Sequence, residues 1–442
     1  MMAALESRSF DELVQQFLGS PLPARIDGNC GSAKLPDETR IIAERMLALM
    51  QRASCPATEL NEQMVWMISK ATPAMLPSAW GGRIPPLTAP GRHRKLDAYV
   101  RRQKWSDDPG DKEQPVFVDL GCGFPPATTV DTANALKEWS VMGLDRSFAS
   151  YVLFDPQGDY ACFNKHGAFL YFQPVKKPLH ENPVAARERF EALFAELAPD
   201  LGDWDNNGSS TVEKDGNRLI RNHIRDFETP NLRFVEADIT DLSLGPARVI
   251  RCMNVLLYFT KSTRRKMRQS LLAKLEQGGL MISGFNHPFG GYVRYTVRKR
   301  DRSEIRPCEF AFSPDNLRPL GIGPWVTIVD EDEDAGLLAD LTGAIRRDRR
   351  FWDQFNPHVD ELRTEYGIGA RDKDGFFRFS EEVQTAPPAL LMQKTSALWD
   401  RIEKEGYVDG AVAALQRAGY QAWKNAVGHV AVLPPEGSMP AD

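Results

Sequence analysis

Residues 116–133 read VFVDLGCGFPPATTVDTA. The apolar run 116–120 predicts a short buried strand, Gly121 and Gly123 a sharp turn, and residues 126–138 a helix opening on prolines. Glycines without a Cβ let the backbone turn tightly and let a ligand approach it closely. A G-x-G-x-x-G dinucleotide fingerprint fails at its third glycine, where Pro126 stands. Proline suits a first helical turn but offers no N–H, so this helix start serves a pyrophosphate poorly. A cofactor without phosphates does not miss that donor. No G-x-x-x-x-G-K-[ST] run is present either, which argues against a nucleoside-triphosphate loop.

Working outward, short apolar runs alternate with helical stretches: strands at 140–145 (SVMGLD), 232–238 (LRFVEAD), 248–257 (RVIRCMNVLL) and 279–284 (GLMISG). The helix predicted over 261–276 places Met267, Leu271, Leu272 and Leu275 on one stripe. Such a succession predicts a mostly parallel, Rossmann-like sheet with right-handed crossovers and helices on both faces. The 86 residues 146–231 exceed any simple crossover, so an insertion is expected there. Aromatic runs in 151–174, broken by DPQGD and NKHG, suggest a hairpin or meander, residues 183–198 a helix, and WDNNGSS (204–210) a flexible tip. The expected organisation is an N-terminal helical module over 1–110, a sheet domain over 111–290 with 411–436, an insertion over 147–210, and an accessory, substrate-facing insertion over 291–410. In the N-terminal module, Ile42, Met46, Leu49 and Met50, then Leu60, Met64, Met67 and Ile68, recur at helical spacing. Met-rich faces of this kind suit either a packed module or a lid. A Pro- and Gly-rich stretch (72–92) and the polar linker SDDPGDKEQ (106–114) follow.

Taken together, VDLGCG, the acid ending GLD, VEADITD, VIRCMNVLLYF and EQGGLMISG resemble in order and spacing the motifs of the class I S-adenosylmethionine-dependent methyltransferase superfamily. The likeness covers about the middle third of the chain and its C-terminal helix and hairpin. It implies S-adenosyl-L-methionine as cofactor and S-adenosyl-L-homocysteine as product. It also implies that Gly121, Cys122 and Gly123 line the methionine portion and that Asp119 orients it. Asp145, with Arg146 beside it, would meet the ribose hydroxyls, Asp238 the adenine amino group and Ile239 the ring, and Asn254 would border the cofactor. Members often carry a third glycine where Pro125 stands, which puts the path near the methionine carboxylate in question. NVLLYF also has a local likeness to chemotaxis-receptor glutamate methyltransferases, with Met253 in place of their arginine.

A sulfonium methyl is already electrophilic, so a protein of this kind chiefly aligns the nucleophile and excludes water. An oxygen nucleophile usually needs a base as well. His287, just after the fifth strand, and Tyr258, after the fourth, are the candidate catalytic residues, and His93 is placed to close over them from the N-terminal side. The reading is methyl transfer to an O, N or S nucleophile of a small-molecule acceptor. The alternatives are a protein or peptide side chain as acceptor, or a non-catalytic S-adenosylmethionine-binding scaffold.

Composition narrows the partners. With 442 residues, 42% hydrophobic and 26% charged, the chain is an ordinary globular one, and 55 Lys plus Arg against 60 Asp plus Glu gives a net charge of −5, no nucleic-acid footprint. Basic runs at 294–306 and 345–350 and the acidic run DEDED (330–334) are expected to be solvated faces, and the acidic run lacks the glycine and final glutamate of a calcium loop. Six cysteines without a CxxC pair argue against a zinc cluster and a disulfide framework, so no metal is expected. The start lacks a secretory pattern and no apolar run of about 18 residues occurs, so a cytoplasmic protein without a membrane span is expected. Oligomeric state is not legible.

Overall fold

The computed structural model describes residues 8–23, 26, 31–66, 68, 88–105, 114–174, 183–201, 210–239, 245–287, 291–301, 304–386 and 388–435. Most of the Pro- and Gly-rich stretch, most of the 106–114 linker, most of the 204–210 tip, Cys30 and Met67 lie outside them.

The glycine motif forms as its composition dictates: strand β1 (Val116–Leu120), the turn, then a helix Ala127–Ala135 opening behind Pro126. β2 (Ser140–Asp145) lies parallel to β1. An inserted antiparallel sheet follows, made of β3 (Tyr151–Phe154), β4 (Tyr160–Phe163), β5 (Phe169–Gln173), β6 (Thr211–Lys214) and β7 (Asn217–Arg221), in the order β5-β4-β3-β7-β6. The chain then returns to the main sheet through β8 (Leu232–Glu236), β9 (Ala247–Met253) and β10 (Leu275–Phe285). β11 (Arg294–Asp301) and β12 (Glu304–Phe312) extend it, the small ribbon β13 (Gly369–Arg371) and β14 (Phe377–Phe379) stands apart, and β15 (Ala422–Lys424) and β16 (Val430–Val432) close the chain. The nine-stranded order is β15-β16-β12-β11-β10-β9-β1-β2-β8. Strands β8, β2, β1, β9 and β10 are mutually parallel. From β1 the chain first builds outward through β2 to β8, then crosses to β9 and β10 on the other side. The order therefore reverses between β1 and β9, and such a switch point opens a crevice at the strands' carboxyl ends.

Both faces of the sheet are covered. Val118, Leu120, Ile250, Cys252 and Met281 pack under Met267, Leu271 and Leu272 of the helix Lys261–Leu272. Phe117, Val249, Ile282, Tyr295 and Val297 pack against Leu96, Tyr99 and Val100 of the helix Arg94–Arg102. That helix falls within the expected N-terminal module yet belongs to the sheet's core. The rest of the module, including helices Phe10–Leu18 and Asp37–Arg52, shares one core with Leu257, Phe285, Ile322, Val326 and Ala339. It is pinned there as well: Arg45 Nη1 donates to the Val329 carbonyl at 2.7 Å and Arg52 pairs with Asp340 at 2.9 Å. Continuous packing of this sort makes a wall, where a hinged lid needs a separable surface.

Three expectations change. The first insertion does not end at 210, because β6 and β7 form a hairpin around Asp215 (φ +50°) and Gly216 (φ +77°). The Asp-Gly pair is the sequence signal for such a turn. The second insertion does not begin at 291, because β11 and β12 continue the main sheet through Phe312. The basic run reads as a solvated face, but Arg294 and Arg298 are both buried, and so is Arg346 of the second run. The acidic run is engaged as well: Asp332 caps the helix Glu333–Arg347, Glu333 pairs with Arg264 (3.1 Å) and Arg268 (3.2 Å), and Asp334 accepts the Thr296 hydroxyl at 2.9 Å. No helix among the described residues is long and apolar enough to cross a membrane. Nor is any group of three or more His, Cys, Asp or Glu among them placed to hold a metal. Cys55, Cys122, Cys162, Cys252 and Cys308 are free thiols.

Candidate functional site

The glycine turn folds across the end of β2. Gly121 N–H donates to the Leu144 carbonyl at 2.7 Å and Gly123 N–H to Asp145 Oδ2 at 2.9 Å. Both glycines take positive φ, +68° and +63°. A Cβ on Gly121 would stand 2.3 Å from Val255 Cγ2, so this exposed stretch of backbone exists only as glycine. Asp145 is half-buried; its Oδ2 is committed to the turn and its Oδ1 accepts the Ser147 N–H at 3.5 Å. Its register neighbour on β8 is Glu236, whose carboxylate accepts the Phe148 N–H at 2.9 Å. Sequence reading passed over Glu236, although the strand-end position in VEAD was its signal. Arg146 and Asp238 are exposed beyond the ends of β2 and β8. Ile239 is buried among Leu120, Leu144 and Leu256.

Asp119 is turned into the interior and is only 3% exposed. Arg251, its register partner on β9, donates Nε and Nη2 to the two carboxylate oxygens at 2.8 and 2.6 Å, and Thr129 adds its hydroxyl at 2.6 Å. Arg251 Nη1 reaches Asp97 Oδ1 at 2.8 Å, and Thr132 donates to the same oxygen. The expectation that Asp119 contacts a ligand therefore gives way to a positioning role: it fixes Arg251 and the start of the glycine helix. Burial pushes the Asp97 carboxyl up to about 6 in spite of Arg251. Cys122 is likewise enclosed, by Phe124, Tyr160 and Tyr171, and burial raises its thiol well above the usual value. The inserted sheet thus packs directly on the glycine turn, with Tyr160 donating its hydroxyl to the Phe124 carbonyl at 3.4 Å.

On the other side of the switch point, β9 is followed directly by Asn254, which holds φ +60°. The Asn286 N–H donates to Asn254 Oδ1 (2.8 Å), which turns Asn254 Nδ2 toward Asn286 Oδ1 (3.1 Å). That oxygen also meets His93 Nε2 at 3.3 Å. The chain of donors assigns the His93 proton to Nε2. Burial, with Arg251 and Arg92 nearby, holds His93 well below its ordinary pKa, so it stays neutral. Arg92 straps the end of β10, donating to the carbonyls of Asn286 (2.7 Å) and His287 (3.1 Å). His287 is half-buried, and burial plus Arg92 push it down to about 4. Tyr258 follows β9 and is 39% exposed. The structure thus gathers Asn254, His287 and His93 around Arg92 and Asn286, a pair that sequence reading did not single out. The polar residue beside His287 in GFNHP was the available signal for Asn286.

A parallel sheet reversing at β1, a glycine turn over the reversal and a carboxylate at the end of the next strand define the class: a Rossmann-like α/β protein with its ligand crevice between β1 and β9. No family model matches the chain, and no curated protein matches it. Solved structures similar to it include three methyltransferases. One is a SAM-bound amino pentose methyltransferase of calicheamicin biosynthesis from Micromonospora echinaspora (11% identity, TM-score 0.22, 50% of this chain and 63% of that one). The second is coclaurine N-methyltransferase bound to N-methylheliamine and SAH (12%, 0.24, 96% and 93%). The third is an O-methyltransferase family 2 protein from Planctomyces limnophilus with apigenin (12%, 0.22, 96% and 78%). The chain therefore spans less than two thirds of the calicheamicin enzyme's length. At such identities and scores, the class rests on the strand order and the turn.

Proposed function

We propose that the protein is an S-adenosyl-L-methionine-dependent methyltransferase acting on an O, N or S nucleophile of a small-molecule acceptor. The observation that carries the reading is the Gly121–Gly123 turn docked on the Asp145 carboxylate at the switch point. The residues present fit the cofactor. Gly121 offers exposed backbone where any Cβ would collide, and Pro126 removes a donor that only a phosphate would need. Asp145 sets a half-buried carboxylate at the end of β2 where ribose hydroxyls would meet it, Asp238 lies exposed beyond β8, and Asn254 flanks the turn from β9. When bound, the cofactor supplies an electrophilic methyl group on a sulfonium.

The chain's own part is orientation and exclusion of water. The Asn254–Asn286–His93 chain fixes the ends of β9 and β10, and Arg92 holds the backbone that carries His287. His287 at about 4 is neutral at physiological pH and is a weak base. It accepts a hydrogen bond from the nucleophile, aligns it, and takes up its proton as methylation makes that proton strongly acidic. Tyr258, on the rim, guides the acceptor.

Calorimetric titration with S-adenosyl-L-homocysteine tests the reading. The wild type is expected to bind and Asp145→Ala to bind about 10-fold or more weakly, as for loss of a hydrogen bond to a charged group. No binding by a folded wild type overturns the reading. Binding without transfer into any fraction of a cell extract moves it to the scaffold alternative, and label in protein rather than small molecules moves it to the side-chain acceptor.

A further inference from the structure

The inserted sheet meets the glycine turn through a run of aromatic rings. Phe124, the residue after Gly123, has its ring centroid 5.9 Å from that of Tyr160 on β4, 5.4 Å from His223 and 6.1 Å from Phe227. Phe154, the last residue of β3, closes the group from the other side, 5.5 Å from Tyr160 and 5.8 Å from His223, and the rings of His223 and Phe227 are 5.3 Å apart. Phe124 and Tyr160 are buried and make a floor. Phe154, His223 and Phe227 are half-buried and form its outer edge, with the Arg218 guanidinium 5.1 Å from the Phe154 ring. A continuous aromatic surface therefore begins one residue from the Gly121–Gly123 turn.

His223 places a polar group on that edge. It opens the short helical turn His223–Phe227 after β7, and the residue before it, Asn222, takes the left-handed φ of +50° that asparagine tolerates better than most residues. The Asn222 N–H donates to the Ser150 carbonyl at 2.8 Å, which holds the turn against β3 and its ring over Phe124. His223 Nδ1 lies 2.8 Å from Asp226 Oδ2. An ionised carboxylate only accepts, so the proton of the neutral imidazole is assigned to Nδ1 and Nε2 presents its lone pair. Among the described residues nothing hydrogen-bonds Nε2, and the side chain keeps 17% of its surface exposed. A mere filler of this cluster needs neither the fixed tautomer nor the lone pair, and phenylalanine would occupy the same space.

We propose that the methyl acceptor is a planar aromatic compound bearing a hydroxyl or N–H group, laid against the Phe154–His223–Phe227 edge with that donor on His223 Nε2. The inference rests on the methyltransferase reading and names the acceptor class for the same site. Half-buried rings offer a further ring the offset or edge-to-face contacts that are worth about 0.5–1.5 kcal/mol each beyond area burial. Small-molecule sites typically pair such apolar walls with a few placed polar groups that fix orientation, and Nε2 is one of that kind. Because the surface starts at the residue after Gly123, a compound held there lies beside the bound cofactor. The contact is one of binding: it selects the acceptor and leaves the proton of the methylated atom to His287.

The test uses the full chain, methyl-labelled cofactor and the small-molecule fraction of a cell extract, separated before the assay on graphitic carbon, which retains planar aromatic compounds. Label is expected to enter the retained compounds. His223→Phe keeps the aromatic surface and removes the lone pair, so the apparent KM for that fraction should rise about 3- to 10-fold, the loss of one hydrogen bond, with kcat and cofactor affinity little changed. His223→Gln, whose amide oxygen can stand near the Nε2 position, should recover part of the loss. An acceptor in the unretained fraction, or an unchanged KM in His223→Phe, overturns the inference while leaving methyl transfer standing. Should the phenylalanine variant fail to bind S-adenosyl-L-homocysteine, Asp226→Ala at its exposed position takes its place, and an unchanged KM there overturns the inference equally. Binding of the cofactor with no label in any wild-type fraction overturns the transfer reading and this inference with it.

Discussion

Replacing Arg251 by methionine probes the tie that holds the glycine turn to its neighbours. Arg251 is 1% exposed and spans two buried carboxylates, Asp119 and Asp97, each of which also takes a threonine hydroxyl. Methionine keeps much of the volume and removes the charge. Removing one member of a buried ion pair costs about 3–5 kcal/mol, and here two acids lose their partner, so the upper end applies. At about 2–4 °C per kcal/mol for a large domain, the melting temperature should fall by roughly 10–20 °C. Urea unfolding followed by circular dichroism reads the loss directly. The deficit should shrink from about pH 8 to about pH 5, because stranded carboxylates escape the penalty by taking up protons. The triple variant Arg251→Met, Asp97→Asn, Asp119→Asn should regain most of the stability, since neutral groups need no counter-charge. A single-variant loss below about 1 kcal/mol, or a triple variant no better than the single, refutes the view that Asp119 serves the interior.

Asp97 carries a pH signature of its own. Burial raises it to about 6, so between about pH 4 and 6 the native state holds a proton that the unfolded chain has released, and stability falls as pH rises through that window, by up to about 3 kcal/mol. Asp97→Asn should flatten that slope, and a slope that survives the substitution counts against the assignment. Gly121→Ala forces both a left-handed backbone, costing about 1–2 kcal/mol, and a collision with Val255, so affinity for S-adenosyl-L-homocysteine should drop sharply by calorimetry. Val255→Ala in the same chain should restore the steric part, and if it restores nothing the collision is not the cause. For His287, held near 4, a rate profile without an inflection near its ordinary pKa is expected. An inflection near about 6.5 that vanishes in His287→Gln would show that it titrates freely and acts as a full base.

How far the sequence could be read depended on whether a residue's neighbours were local. The glycine turn was legible because its geometry is set within a few residues: a strand, two positions that only glycine tolerates, and a proline-led helix. The parallel strands were legible for the same reason, each being a short apolar run ended by a turn. The strand at 248–257 was read three or four residues too long, because Asn254 leaves the sheet in a left-handed conformation to reach Asn286, a partner 32 residues away. Asp119 looked like a ligand contact until Arg251 on the adjacent strand claimed both its oxygens.

The arginines make the sharper case. In RYTVRKRD the period of two is present, with Tyr295 and Val297 on one face and Arg294, Thr296 and Arg298 on the other, and a charged face ordinarily means solvent. Here that face is buried instead, with DEDED at the head of the helix Glu333–Arg347 supplying opposing charge. The two runs are separated by about thirty residues, and each alone is indistinguishable from a surface patch. Only the folded chain brings Asp332 and Asp334 close enough to oppose the charge of the buried Arg294.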